Sequence, residues 1–255
     1  MNIVGVYNLK KDRETSADSL ASVLGATRYE ALSRLRLPGE GPFTVAVLAA
    51  KDQAAQLFEK LNAAGFHAVI IGDEDIEAEN KALPVRQFSF NDKDLMVGAG
   101  NERLSIPFNE IDLVLRGTRI SGSTSLDTST TKSFSMGMAV LSGGLMISKT
   151  TKTVREVSTE ERERFVNLYS GTGPVIAFRE NLLIYDSFGV ALKPSRAENF
   201  GYLVSELRRL CTKAEYDERL LTRPSQIALL GPVLDPEKNL SAATALLSKV
   251  LRRKI

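Results

Sequence analysis

Few residues in this chain carry side chains suited to reaction chemistry, and their spacing decides what they offer. The single histidine, His67, follows Gly65-Phe66 at the mouth of an apolar run. A general base needs an orienting partner and a pocket; the sequence around His67 shows neither, so it reads as a turn or surface residue. The single cysteine, Cys211, falls on the apolar stripe of a helical pattern, where a thiol acts as a small hydrophobe. It has no partner for an internal disulfide, which fits a reducing compartment. One His and one Cys cannot build a structural zinc site. Asp73, Glu74, Asp75, Glu77 and Glu79 place five carboxylates in seven positions. They lack the loop geometry of a calcium site, so they read as a solvated linker or a short surface helix. No GxxxxGK[ST] or GxSxG occurs, and VGAGNE and SGTGPV both fail the dinucleotide pattern at its third glycine. Arg208 and Arg209 read as the polar face of a helix. The sequence thus nominates no catalytic residue, no cofactor and no metal ligand.

What it does nominate is a contact surface. Between Lys132 and Lys149 lie sixteen residues without a charge, SFSMGMAVLSGGLMIS. Met136, Met138, Leu141, Leu145 and Met146 offer polarizable, adaptable contact area, and Phe134 adds an aromatic ring. Gly137, Gly143 and Gly144 withhold strong helix or strand preference. Thr131-Lys132 and Thr151-Lys152 read as the two stems of a hairpin, and TKTVREV alternates as a strand does. Three roles compete for this insert. Apolar sequence is by default core, here a hairpin folded onto its own domain. A self-association surface is the second. Membrane contact is the third, with Lys132, Lys149, Lys152 and Arg155 facing headgroups. The interaction residues expected are Lys132, Phe134, Met136, Met138, Leu141, Leu145, Met146, Lys149 and Lys152.

Composition narrows the partners. A net charge of +2 gives no field to draw the whole chain to nucleic acid, and no run interleaves stacking aromatics with Lys and Arg. Sixteen uncharged residues fall short of the ~20 that span a bilayer as a helix. The first residues lack the basic head and apolar centre of a signal peptide. The expected location is cytoplasmic, with a peripheral place at the membrane as the rival.

The elements that must position this surface divide the chain. Residues 1–72 read as a βααβαβ domain. Ile3, Val4 and Val6 start it, and Ser16 caps a helix carrying Ala17, Leu20, Ala21 and Leu24 that ends at Gly25. Thr27 and Glu30 form a capping box for a second helix. PGEGP at 38–42 breaks the chain before the strand FTVAVLA. A third helix carries Ala54, Leu57, Phe58 and Leu61, Gly65 closes it, and the strand AVII follows. Over about residues 16–71 the helical pair LGATRYEALSRL, the turn and strand, and the helix ending in AAGF resemble the C-terminal domain of the bacterial ribosomal stalk protein. The resemblance implies a fold; the stalk domain's lysine-rich factor-binding face has no match on these helices.

Residues 73–84 are the acidic linker. From 85 to 223 the period changes to two: VRQFSF, LMVGAG and RLSIPFNEIDLVLRGTRI read as three antiparallel strands, with Pro107 at an edge or bulge. The insert spans about 121–158. FVNLYS, PVIAF and LLIYD continue the strand pattern. Ser195 and Glu198 box a helix whose stripe is Phe200, Leu203, Val204, Leu207, Leu210 and Cys211. Short strands closed by one helix resemble a bacterial pleckstrin-homology-like domain, which implies a binding scaffold for lipid headgroups, peptides or further copies of the chain. Residues 224–255 form a helical tail opening at Asp235-Pro236, with a stripe at Leu240, Ala243, Leu246, Leu247, Val250 and Leu251. The expected fold class is α+β, and the expected function is non-enzymatic binding or scaffolding, with a second copy of the chain or another protein as partner. A peripheral membrane module is the first rival. An enzyme with a pocket at the domain seam is the second.

Overall fold

Strand β1 (Asn2–Tyr7) is buried on both faces, and this dictates how the N-terminal elements assemble. Side chains alternate along a strand, so Val4 and Val6 enter one core while Ile3 enters another. β1 is the centre of a three-stranded antiparallel sheet between β2 (Phe43–Leu48) and β3 (His67–Ile71). On the Val4–Val6 face lie α1 (Arg13–Leu24), α2 (Arg28–Leu35) and α3 (Lys51–Ala63), contributing Ala17, Leu20, Leu32, Leu35, Ala54 and Leu61. The computed structural model describes residues 1–9, 12–35, 41–99, 102–134, 148–171, 173–230 and 236–253; side chains are described throughout except at 99, 102, 121–134, 148–160, 236 and 237.

The α+β class and the βααβαβ order read from the sequence both hold. The Thr27–Glu30 box is formed: the Glu30 N–H donates to Thr27 Oγ1 at 3.2 Å, and the Thr27 N–H donates to Glu30 Oε2 at 2.9 Å. Gly25 ends α1 in the left-handed region, at φ 62°, as its position implied. Ser16 is not the N-cap. The helix begins at Arg13 after Asp12, and Ser16 lies buried within it, its N–H donating to the Asp12 carbonyl.

After β3 come α4 (Asp73–Asn80) and β4 (Leu83–Val85). A three-stranded meander follows, β5 (Gln87–Phe90), β6 (Asp94–Ala99) and β7 (Glu102–Pro107), and Pro107 ends an edge strand where no ladder donor is needed. The single strand expected across this proline is split by a 3-10 turn at Phe108–Glu110, after which β8 (Ile111–Phe134) starts. β9 (Ser148–Ser170), β10 (Ile176–Arg179) and β11 (Glu215–Leu220) join β4 and β8 in a five-stranded sheet of order β11-β8-β9-β10-β4. Its pairings are mixed: β10 runs parallel to β4, and β8 runs parallel to β11. LLIYD forms no strand. Leu183 and Tyr185 instead fill the core as a turn leads into a 3-10 segment at Asp186–Ala191.

Helix α5 (Arg196–Leu210) closes that core with Phe200, Leu203, Val204 and Leu207 against Val85, Phe88, Val166 and Phe178. Cys211 is fully buried beside them, and burial pushes its thiol up to about 12, as befits core filler. α6 (Arg223–Leu230) and α7 (Pro236–Leu251) complete the chain. α7 packs into a third core that joins Ile3, Val69 and Ile71 of the first sheet to Leu113, Leu115, Phe165 and Leu220 of the second. Close approach is enforced there by Gly117 on β8. A Cβ at that position would lie 2.4 Å from Phe165 Cζ and 2.8 Å from Leu220 Cβ, so only glycine fits.

The chain divides into two units, residues 1–119 with 163–255 and residues 120–162. Among the described residues the second unit is the backbone of two hydrogen-bonded neighbours, the end of β8 and the start of β9. No helix among the described residues is long and apolar enough to cross a membrane.

Candidate functional site

The expected interaction residues divide by position. Lys132 and Phe134 fall on the backbone of β8, and Lys149 and Lys152 on that of β9, so the two stems anticipated around the insert are strands. Their side chains, together with Met136, Met138, Leu141, Leu145 and Met146, lie outside the described residues.

Among the described side chains, polar chemistry gathers where α4 meets α7. The acidic run forms a helix, and two of its carboxylates, Asp75 and Glu79, bond to side chains of α7. Asp75 accepts hydrogen bonds from Lys249 Nζ at 2.8 Å and from the Gly72 N–H at 2.8 Å, which caps the helix start. Glu79, one turn further on the same face, accepts from Tyr169 Oη and Ser248 Oγ, each at 2.7 Å. Helical spacing of four residues aligns Asp75 with Glu79, and α7 answers with the adjacent pair Ser248-Lys249. Asn80 adds a bond from Ser241 Oγ at 2.9 Å. Arg252 stacks over the Tyr169 ring at 5.7 Å and pairs with Asp112 at 3.3 Å. Its guanidinium also donates to the Gly171 carbonyl.

Burial sets the electrostatics of this network. Desolvation raises Glu79 above its ordinary carboxylate value, and the two hydroxyl donors only partly restrain the rise. Desolvation and the nearby Glu79 charge lift the Tyr169 phenol well above its ordinary value. A phenol held protonated and a carboxylate already bonded on both oxygens make a clamp between elements. The solvated reading of the acidic run is therefore corrected at Asp75 and Glu79.

Beside the clamp opens a cleft of about 440 Å³, within the range of small-molecule sites. Glu79 and Asn80 of α4 form one wall, and Lys238, Ser241 and Thr244 of α7 another. β8 contributes Arg119, β9 contributes Glu163, Phe165 and Asn167, and β10 contributes Arg179. Sequence reading singled out none of these residues except Glu79. Tyr169 lies 90 positions and Ser248 169 positions from Glu79, so no local motif could reveal the grouping. The only local sign was a tyrosine, an asparagine and serines placed within apolar stripes.

The two residues weighed for chemistry are elsewhere. His67 is exposed at the start of β3, its ring 5.8 Å from Tyr7. Cys211 is sealed under α5. Among the described residues, no group of three or more His, Cys, Asp or Glu is placed to hold a metal ion. No family model, curated protein or solved structure matches this chain.

Proposed function

We propose that this chain is a non-enzymatic binding protein that associates with further copies of itself through the segment carried between β8 and β9. The observation supporting this reading is the neighbourhood of those two strands. β11 flanks β8 only over Leu113–Gly117, and β10 flanks β9 only over Phe165–Leu168. Along residues 120–134 and 148–162, β8 and β9 have no other strand neighbour among the described residues. A two-stranded ribbon is marginal in water by itself, and unpaired strand edges recruit further strands. A second copy supplies the same ribbon, which satisfies the self-complementarity of a two-fold contact. The sixteen uncharged residues at 133–148 supply apolar area for that contact.

Deleting residues 133–148 tests the proposal. The full chain is expected to scatter light as an oligomer, and the deletion variant at a lower mass. An unchanged mass overturns self-association through this segment. Loss of vesicle binding on deletion, with a monomeric mass for both proteins, would favour the membrane reading instead, since basic flanks around an apolar run suit anionic headgroups.

A further inference from the structure

The cleft beside the α4–α7 clamp has a composition that the clamp does not need. Arg119, Arg179 and Lys238 come from three different elements and line one space with the ring of Phe165 and the side chain of Leu240. The two carboxylates present are already engaged. Glu79 accepts from Tyr169 and Ser248, and Glu163 Oε1 accepts from the Asn181 N–H at 3.3 Å. Arg179 differs from its neighbours. Its guanidinium has no hydrogen-bond or ion-pair partner among the described residues, although the residue is only partly exposed. A guanidinium is a planar fork of donors matched to the two oxygens of a carboxylate or phosphate. Asn167, buried on β9, adds an amide to the same wall.

We infer that this cleft is a binding site for a small organic oxyanion, its carboxylate or phosphate held by Arg179 with Arg119 and Lys238, and its apolar body lying against Phe165 and Leu240. This inference is independent of the self-association reading, because every residue it uses lies in residues 1–119 or 163–255. The apolar wall excludes bare inorganic ions as the best fit: hydrophobic contact rewards a body attached to the charge. The positive lining selects the charged member of an isosteric pair, because a neutral group leaves the guanidinium without its counter-charge.

Titrating the nitrogen-labelled full chain with benzoate, phenyl phosphate and the neutral isostere benzamide tests this by amide chemical shifts. At ~10 mM, even a Kd near 1 mM fills the site. Benzoate, phenyl phosphate or both are expected to shift the amides of residues 165–167, 179 and 238–244, the tighter of the two identifying the headgroup. Benzamide is expected to bind at least about tenfold more weakly, and Arg179→Gln to weaken the charged probe by about tenfold or more. Lys238→Gln, at an exposed position, serves as a second variant with a smaller loss. The inference is overturned if neither charged probe shifts these amides, if benzamide binds as well, or if Arg179→Gln in a folded protein binds the charged probe unchanged.

Discussion

Helices α5 and α7 are nearly matched, at 15 and 16 residues, and each shows apolar side chains at the spacing of one helical face. They are built into the molecule in different ways. α5 buries one stripe, Phe200, Leu203, Val204 and Leu207, while Ser205, Arg208 and Arg209 stay in solvent. α7 is buried at every position from Ala242 to Ser248, three of them alanines. A lid needs one apolar face. A helix enclosed on several sides needs small residues where a neighbour approaches closely and hydroxyls where its polar groups must be answered in the interior. Thr244 meets this need by donating to the Leu240 carbonyl at 2.8 Å, and Ser248 by bonding Glu79. α5 holds its end differently: Arg164 makes two 2.8 Å bonds to Glu180 and a third, at 2.9 Å, to the Ala197 carbonyl in the helix's first turn. The lesson is that the C-terminal helix is a structural centre of the molecule, joining the first sheet to the second.

That contrast breaks most readily at Leu246. Its Cδ1 lies 3.4 Å from where a Cβ on Gly5 of β1 would stand, so it touches the first sheet directly. Leu246→Ala is expected to cost about 3 kcal/mol, lowering Tm by ~6–12 °C. Amide exchange should accelerate in both β1 and β9. Leu207→Ala, equally buried under α5, is expected to cost about the same yet leave β1 exchange unchanged. Equal responses of β1 to the two variants would abolish the distinction between lid and centre.

A smaller effect sharpens the local side of the comparison. Ser195 Oγ accepts the Glu198 N–H at 3.2 Å, while Glu198 Oε2 accepts from the Ser195 N–H at 3.1 Å. Ser195→Ala is expected to cost about 1 kcal/mol in urea unfolding, and no measurable loss would mean that packing alone fixes the start of α5.

The smallest effect concerns the clamp on α7. Burial raises the folded-state pKa of Glu79 above its ordinary 4.5, so the folded chain holds this proton more tightly than the unfolded chain. Its contribution to stability is therefore greatest below the ordinary value and is lost as pH rises through the folded pKa. Glu79→Gln removes the titration. Measured from about pH 4 to about pH 8, the stability of the variant relative to wild type is expected to rise with pH; a flat or falling difference would show that Glu79 is not held in a desolvated setting.

Much of the local architecture was legible. The capping boxes at Thr27–Glu30 and Ser195–Glu198, the left-handed Gly25 and the edge position of Pro107 follow from interactions within a few residues, and all are present. Local pattern failed where distant partners decide. EYDERL alternates charge with only Tyr216 and Leu220 as apolar members, yet β8 draws it into a parallel pairing as β11. LLIYD has strong strand propensity, but Leu183 and Tyr185 satisfy the core without a ladder. The cleft was invisible for the same reason: its cations come from positions 119, 179 and 238, on three elements.

The sequence alone determined the order of the N-terminal helices and strands, the capping boxes that start two helices, and that an uncharged stretch lies between two strand stems, because caps, turns and side-chain periodicity act over a few residues. Only the tertiary structure decided that both faces of the first sheet are covered, that α7 joins the two sheets, and that Glu79, Tyr169 and Ser248 meet. Those outcomes depend on burial shared among segments far apart in the chain, where desolvation and close packing override what each segment prefers by itself.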